Sequence, residues 1–298
     1  MELSVVVSTL NDREQLLSSL DVLRERTPSS TEVVVVNGPS SDGTTGVVRD
    51  RSDVDVLVEI SERNPNVSRN AGFEIATGDV VAFLAGEYVV EDGWYDALEG
   101  AIAGADVVTG PVTDAGSTDR DGTAKTIAGR RVTQFDGDNV AFDRTVLEAL
   151  DGFDEYLETD GATDCAHRVA GLGFEVTWAP AMAARSEIGA DGGRADPDWG
   201  TAYHGLSYRL VKNYGPRPTV FGRAAGSAVR DGVGGVRKIF AGEETPTGWF
   251  DDGLDVVRST ASGLADGVRA RFADRSARRN PNGVSTRHDR AVRIYDRR

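Results

Sequence analysis

NPNVSRNAGFEIATGDVVAFLAGE, residues 64–87, is the stretch on which the fold turns. Its first half predicts a helix that carries Phe73, Ile75 and Ala76. Gly78 is expected to close that helix in the left-handed turn that glycine adopts without strain. Asp79 then leads into Val80-Val81-Ala82-Phe83-Leu84, an unbroken apolar run. A run of that kind between turn residues suits a strand buried on both faces. It ends at Ala85-Gly86-Glu87, where an open parallel sheet places its ligand.

Working outward, Leu3-Ser4-Val5-Val6-Val7 and Glu32-Val33-Val34-Val35-Val36 predict two more buried strands, and a third lies near 54–60. Between the first two, Leu16, Leu17, Leu20 and Leu23 recur at helical spacing. Residues 91–103 read as a helix and 105–109 as another strand. Strands alternating with helices at this spacing predict an α/β fold with a doubly wound, mainly parallel sheet. Right-handed crossovers then bring the loops at 8–12, 37–44 and 85–92 to one edge.

The rhythm changes after residue 110. Residues 114–129 are polar and glycine-rich and read as a surface loop. A strand is expected within 132–142, around the turn Gly137-Asp138-Asn139, followed by a helix over 143–150. A second helix is expected over 161–172, a strand over 174–179, a loop or lid over 186–200 and a helix over 201–215. Beyond Pro216 a basic amphipathic pattern spans 219–240. Phe221, Ala225, Ala228, Val229, Val233, Val236, Ile239 and Phe240 share one face, opposite Arg223, Arg230, Arg237 and Lys238. A second apolar face runs Leu254, Val257, Ala261, Leu264, Val268, Phe272. The last thirty residues, polar and Arg-rich, are expected to lack order. The division implied is 1–215 for the main domain and 216–298 for a helical, Arg-rich extension.

Composition narrows the function. The net charge of the 298 residues is -15, the isoelectric point is about 4.7, and lysine occurs only at 125, 212 and 238. Such acidity keeps a chain soluble in multimolar salt and disfavours nucleic acid as a partner. One cysteine, Cys165, permits neither an internal disulfide nor a cysteine-built zinc site. His167, His204 and His288 are scattered. The opening MELSVVVSTLN lacks the pattern of a signal peptide, and no run reaches the ~20 apolar residues of a membrane span. The expected place is therefore the cytoplasm. No dinucleotide fingerprint, Walker loop or nucleophile elbow is present.

Several of these landmarks together resemble a family 2 glycosyltransferase with the GT-A fold, over about 1–180. Ser4–Asn11 is similar to that family's opening strand and loop, and 32–44 to its nucleotide loop. Ser68-Arg69-Asn70-Ala71-Gly72 is similar to its Ala-Arg-Asn-x-Gly helix. Gly137–Phe142 is similar to its acceptor-side strand. Gly152-Phe153-Asp154-Glu155, with Asp164, Arg168 and Gly173, resembles the helix that carries its base.

The resemblance implies transfer of a sugar, with inversion, from a nucleotide-sugar donor, most often UDP-linked. It implies donor contacts at Thr9, Asn11, Asn37, Asp42, Arg69 and Asn70, and an acceptor side at Asp138, Asn139 and Asp164. Where the family has its metal-binding Asp-x-Asp, this chain has Ala85-Gly86-Glu87, which leaves Glu87 as the one carboxylate for Mg²⁺ or Mn²⁺. Where it has its Glu-Asp pair, the alignment falls on Gly161-Ala162, so Asp160 or Glu158 is expected to serve as base. With the salt-adapted composition, the resemblance points to a lipid-linked glycan acceptor in surface-layer N-glycosylation, the enzyme being peripheral on the inner membrane face through 219–240. As an alternative, the two losses suit a degenerate domain that binds a nucleotide sugar, or scaffolds another transferase, without turnover.

Overall fold

The computed structural model describes residues 1–113, 122–186, 199–218, 246–273, 276 and 279–298. Its first strands and helices follow in alternation. They are β1 (Leu3–Thr9), α1 (Arg13–Arg26), β2 (Glu32–Asn37), α2 (Thr44–Asp50), β3 (Val56–Ile60), α3 (Pro65–Ile75) and β4 (Val80–Ala85). Then come β5 (Tyr88–Val90), α4 (Trp94–Ile102), β6 (Val107–Thr109), β7 (Val112–Thr113), β8 (Lys125–Ile127) and β9 (Arg130–Val132). β10 (Asn139–Asp143), α5 (Arg144–Leu150), α6 (Gly161–Leu172), β11 (Val176–Trp178) and β12 (Ala184–Ser186) follow. The chain closes with α7 (Trp199–Tyr214), α8 (Pro246–Ala273) and β13 (Ala291–Asp296).

Eight strands form the main sheet in the order β11-β6-β10-β4-β1-β2-β3-β13. β1 runs parallel to both β2 and β4, and β2 to β3. β10 and β13 are antiparallel to their neighbours. The valine runs explain why β1 and β2 lie at the centre. Val5, Val7, Val33 and Val35 are buried on one face with Leu16, Leu20 and Leu23 of α1. On the other face α3 meets β1 so closely that a Cβ at Gly72 would stand 2.2 Å from Val6 Cγ1. Each fully buried valine or leucine stabilises by about 1.5–3 kcal/mol, and a one-residue slip would turn every one of them to the wrong face.

Three expectations are corrected here. The helix of the opening stretch ends at Ile75, capped by Ala76, and Gly78 is not in a left-handed turn. Gly78 is needed for space instead, since a Cβ there would lie 2.7 Å from both Glu2 O and Ser4 N. The left-handed cap occurs after α6, at Gly173, with φ 86°. The Arg-rich tail is ordered: β13 pairs with β3 and covers that edge of the sheet. Charge holds the tail in place. Arg287 Nη1 lies 2.6 Å from Glu62 Oε1, Arg290 bonds Glu155 and Glu74, and Arg298 Nη1 lies 2.7 Å from Glu32 Oε1. Of the stretch expected to be loop over 114–129, residues 114–121 lie outside the described residues and Lys125–Ile127 forms β8, joined to β9 by Ala128 and Gly129, both at positive φ. That is the backbone a two-residue hairpin turn requires.

By contact, the chain divides into two compact units: Met1–Thr126 with Arg131–Gly193 and Asn282–Arg298, and Ile127–Arg130 with Arg194–Pro281. In the second unit α7 and α8 pack through small residues. A Cβ at Gly263 would stand 2.3 Å from His204 O, and one at Gly267 2.6 Å from Tyr208 O. His204 Nε2 lies 3.2 Å from Asp266 Oδ2. The buried face of α8 is therefore this glycine ridge with Ala270, and the expected apolar series holds only in part: Leu264 and Val268 are half-buried, whereas Val257 is 66% and Phe272 69% exposed. The amphipathic stretch 219–240 and most of the 186–200 loop lie outside the described residues. Among the described residues no helix is long and apolar enough to cross a membrane.

Candidate active site

The register of the sheet brings three loops together. Thr9 lies beside Asn37, and Ser8 beside Ala85, so β1, β2 and β4 end on one row. β10 enters antiparallel beside β4, which brings the Gly137-Asp138 turn to the same edge, with Ala85 N 3.4 Å from Asp138 O. All of these residues belong to the first unit.

The first two loops are stitched together by short polar side chains. Asn11, at φ 58°, donates its N–H to Ser40 Oγ at 3.0 Å and accepts at Oδ1 from Ser41 N at 2.7 Å. Asp42 accepts from Arg13 N at 3.0 Å and from the Thr44 hydroxyl at 2.6 Å. Burial works to raise the Asp42 carboxyl, but the Thr44 and Arg13 hydrogen bonds outweigh it and hold the group below the ordinary range. Thr9, also expected to meet the donor, gives its hydroxyl to Asp12.

Of the expected donor contacts, Thr9, Asn37, Arg69 and Asn70 are buried, and the two amides are engaged by the protein. Asn37 donates to Thr45 Oγ1 at 2.9 Å and accepts from Ser40 Oγ at 2.7 Å. Asn70 donates to Phe153 O and Glu155 Oε1 and accepts from Phe153 N. These amides shape the loops rather than face a ligand. Arg69 reaches Gly137 O at 3.0 Å, Asn66 Oδ1 at 3.1 Å and Asp138 Oδ1 at 2.6 Å. It therefore fixes the acceptor-side turn, and its guanidinium also lies 5.4 Å from the Phe153 ring centre.

The expected acceptor side divides in the same way. Asp138 is partly open beside Arg69. Asn139 is buried, accepting from Trp94 Nε1 at 2.9 Å and donating to Met182 O at 2.7 Å. Asp164 is fully buried and pairs with Arg168, Nε to Oδ2 at 2.9 Å. Burial works against the Arg168 charge, but Asp164 and Asp154 outweigh it and raise the group above its ordinary range. Asn139 and Asp164 are thus frame residues.

Glu158 and Asp160 are exposed ahead of α6, and Asp160 has φ 60°. The absence of a carboxylate at 161 has a steric cause: a Cβ at Gly161 would lie 2.1 Å from Asn66 Oδ1. Ala162 is close to the turn, its Cβ 3.0 Å from where a Gly137 Cβ would be.

One residue escaped the sequence reading. Asp12 Oδ2 lies 3.1 Å from where a Cβ on Gly86 would stand. Burial pushes the Asp12 carboxyl up, the Thr9 hydrogen bond opposes that, and the nearby Asp42 charge adds to the rise. The available signal was Gly86 itself, a residue without a side chain next to a loop that carries an acid. As a metal site, Ala85 and Gly86 offer no side-chain oxygen, and Glu87 is half-buried in the turn. Among the described residues no group of three or more His, Cys, Asp or Glu is placed to hold a cation. Glu87 fits only the sparse set in which Mg²⁺ or Mn²⁺ takes one or two carboxylates with substrate phosphates and water.

A mainly parallel sheet whose central strands end in polar loops, with the antiparallel strand β10 beside them, is a GT-A-type α/β fold. The description "Glycosyl transferase family 2" matches residues 4–153, half of the chain, and the chain belongs to that family. Among curated proteins it is similar to Glycosyltransferase AglE of Haloferax volcanii, 26% identical over 197 residues, which are 59% of this chain and 64% of that protein. Among solved structures it resembles the mannosyltransferase PcManGT from Pyrobaculum calidifontis in complex with GDP-Man and Mn²⁺, with TM-score 0.57 and 19% identity over 92% of this chain and 88% of that one. TarS of S. aureus in complex with UDP-GlcNAc gives TM-score 0.61 and 14% identity over 92% and 91%.

Proposed function

We propose that this chain is an inverting glycosyltransferase that uses a nucleotide-sugar donor. The observation that carries this reading is the meeting of the β1, β2 and β4 loops at one sheet edge, tied by Asn11 and Asp42, with the Arg69–Asp138 turn beside them. The GDP-Man and UDP-GlcNAc of the two structural relatives support a donor of this class. A UDP-linked hexose or hexuronic acid is the donor we favour.

In the mechanism, the loops bearing Thr9, Asn11 and Asp42 position the nucleotide. Glu87 would hold a divalent ion, which supplies countercharge to the donor's diphosphate. Asp160, or Glu158, takes the proton of the acceptor hydroxyl as that oxygen attacks the anomeric carbon and the nucleoside diphosphate leaves. Both carboxylates are exposed at the mouth of α6, where an acceptor has access.

The acceptor we propose is a polyprenyl- or dolichol-phosphate-linked glycan, in N-glycosylation of a surface layer. The chain would work on the inner face of the cell membrane, attached through 219–240. The Haloferax relative and the acidic composition support this setting. Residues 1–215 are then the catalytic part, completed by the strand of 291–296, and the rest of 216–298 is the extension.

A second reading has its own observation. Gly161 is sterically closed to a carboxylate, and Ala85-Gly86 carries none. Those losses suit a domain that binds a nucleotide sugar or a partner transferase without turnover. Transfer from labelled nucleotide sugars to lipid-linked acceptor separates the two. With Glu87→Ala or Asp160→Ala, the enzyme reading expects transfer to fall by about 10²-fold or more. Transfer that survives both changes overturns the roles given to Glu87 and Asp160, and no transfer in the wild type alongside intact donor binding favours the second reading.

A further inference from the structure

The second unit holds a cavity of about 240 Å³ at the C-terminal end of α7. Four arginines from separate parts of the chain line it, with Asn213 and Tyr214. Arg130 comes from the hairpin tip, Arg217 from just after α7, Arg271 from the last turn of α8, and Arg279 from the segment that follows.

Three of the four are held in place. Arg271 donates from Nη1 to Lys212 O at 2.9 Å, and Arg279 from Nη1 to Asn213 O at 2.8 Å. The Arg130 guanidinium stands 4.9 Å from the Tyr214 ring centre. The two backbone contacts use one of the five N–H donors of each guanidinium. They also lie at the negative end of α7, which favours cations. Capping accounts for two arginines and leaves Arg130 and Arg217 without that explanation.

Among the described residues no carboxylate pairs with Arg217, Arg271 or Arg279, in a chain whose net charge is -15. Burial lowers Arg271 from its ordinary range, and Arg279, Arg217 and Arg130 lower it further by repulsion. Like charges gathered round a cavity are unfavourable until an anion enters.

We propose that this cavity is an anion site that binds a phosphate or diphosphate ester group. Planar guanidinium forks match phosphate oxygens two at a time. At about 30 Å³ per water the cavity holds several waters, room enough for such a group. The site belongs to the second unit, and Asn213, Tyr214, Arg217, Arg271 and Arg279 of its lining lie outside residues 4–153 of the family match. It does not rest on the transferase reading. Its ligand is either the headgroup of a phosphorylated lipid or a soluble phosphoryl compound.

The test is calorimetric titration of the full chain with inorganic diphosphate, in KCl with a chelator present. One saturable site is expected, weakened roughly tenfold by Arg217→Gln and again by Arg271→Gln. Glu87→Ala should leave that affinity unchanged, which separates this site from the donor site. Arg217 is exposed, so its variant remains informative if Arg271→Gln disturbs the helix pair. Absence of diphosphate binding, or binding that neither arginine change alters, overturns the proposal. Flotation with phosphatidylcholine vesicles, with and without phosphatidic acid, identifies the source. Retention only on phosphatidic acid, lost in Arg217→Gln and competed by diphosphate, supports the site with a lipid ligand. Diphosphate binding without retention supports it with a soluble one.

Discussion

Two groups of arginines, one in each unit of this molecule, face opposite company. In the sheet unit, Arg69, Arg168, Arg287, Arg290 and Arg298 each meet a carboxylate. In the helical unit, Arg130, Arg217, Arg271 and Arg279 surround one cavity and raise each other's electrostatic energy. The lesson concerns what a charge is for. A buried, paired arginine is part of the frame, because removing its partner strands a charge in a medium that solvates it poorly. Clustered arginines contribute little to the frame and are organised for something that arrives from outside.

The sharpest way to break this contrast is at the most buried pair. Asp164→Asn leaves the Arg168 charge without its carboxylate inside the core, and a loss of about 3–5 kcal/mol is expected. At ~2–4 °C per kcal/mol that is a fall of about ten degrees in Tm. A change below about 1 kcal/mol would mean that the pair is not structural and that the comparison is drawn in the wrong place.

The next effect follows pH. Burial tends to raise the Glu32 carboxyl, but hydrogen bonds from Ser4, Thr77 and Arg298 bring it below its ordinary value near 4.5. Its stabilisation is therefore fully present above about 4.5 and is lost as pH falls through the lower value of the folded state. Glu32→Gln should flatten the acid side of the Tm–pH curve, and Arg298→Gln should do so less. Identical curves for Glu32→Gln and wild type would show that the tail is held by strand pairing alone.

Smallest of all is the stability change at the cluster. Arg217→Gln should shift unfolding by no more than surface changes usually do, about 0.5 kcal/mol, and towards greater stability. Denaturant titration measures it. Destabilisation comparable to that of Asp164→Asn would place Arg217 in the frame after all.

The central strands were legible because their code is local. Val33–Val36 and Val80–Leu84 are apolar without interruption, and such runs belong between two layers of helix. α6 was legible over 161–172, with a glycine to close it. β13 was not, since Ala291–Asp296 places charged residues among apolar ones and becomes a strand by pairing with β3. The packing face of α8 was missed for a related reason. Periodicity counts apolar side chains, whereas close approach to α7 needed Gly263 and Gly267 to have none.

The site shows the same divide. Sequence order was enough to bring Thr9, Asn11, Asn37, Asp42 and Glu87 to one edge, because parallel strands deliver their loops there. It did not separate an amide turned towards a ligand from one consumed by the protein. Asn70 is consumed by Phe153, 83 positions away, and Asn139 by Met182, 43 positions away. Asp12 became visible only against Gly86.

By itself, then, the sequence determined the layered α/β architecture and the edge where chemistry belongs, since hydrophobic period and loop placement are properties of neighbouring residues. Tertiary structure decided which polar groups are framework and which are free to act. It also gathered four arginines from residues 130–279 round one cavity. Charge and hydrogen-bond partners are set by distance in space, and chain order does not encode that distance locally.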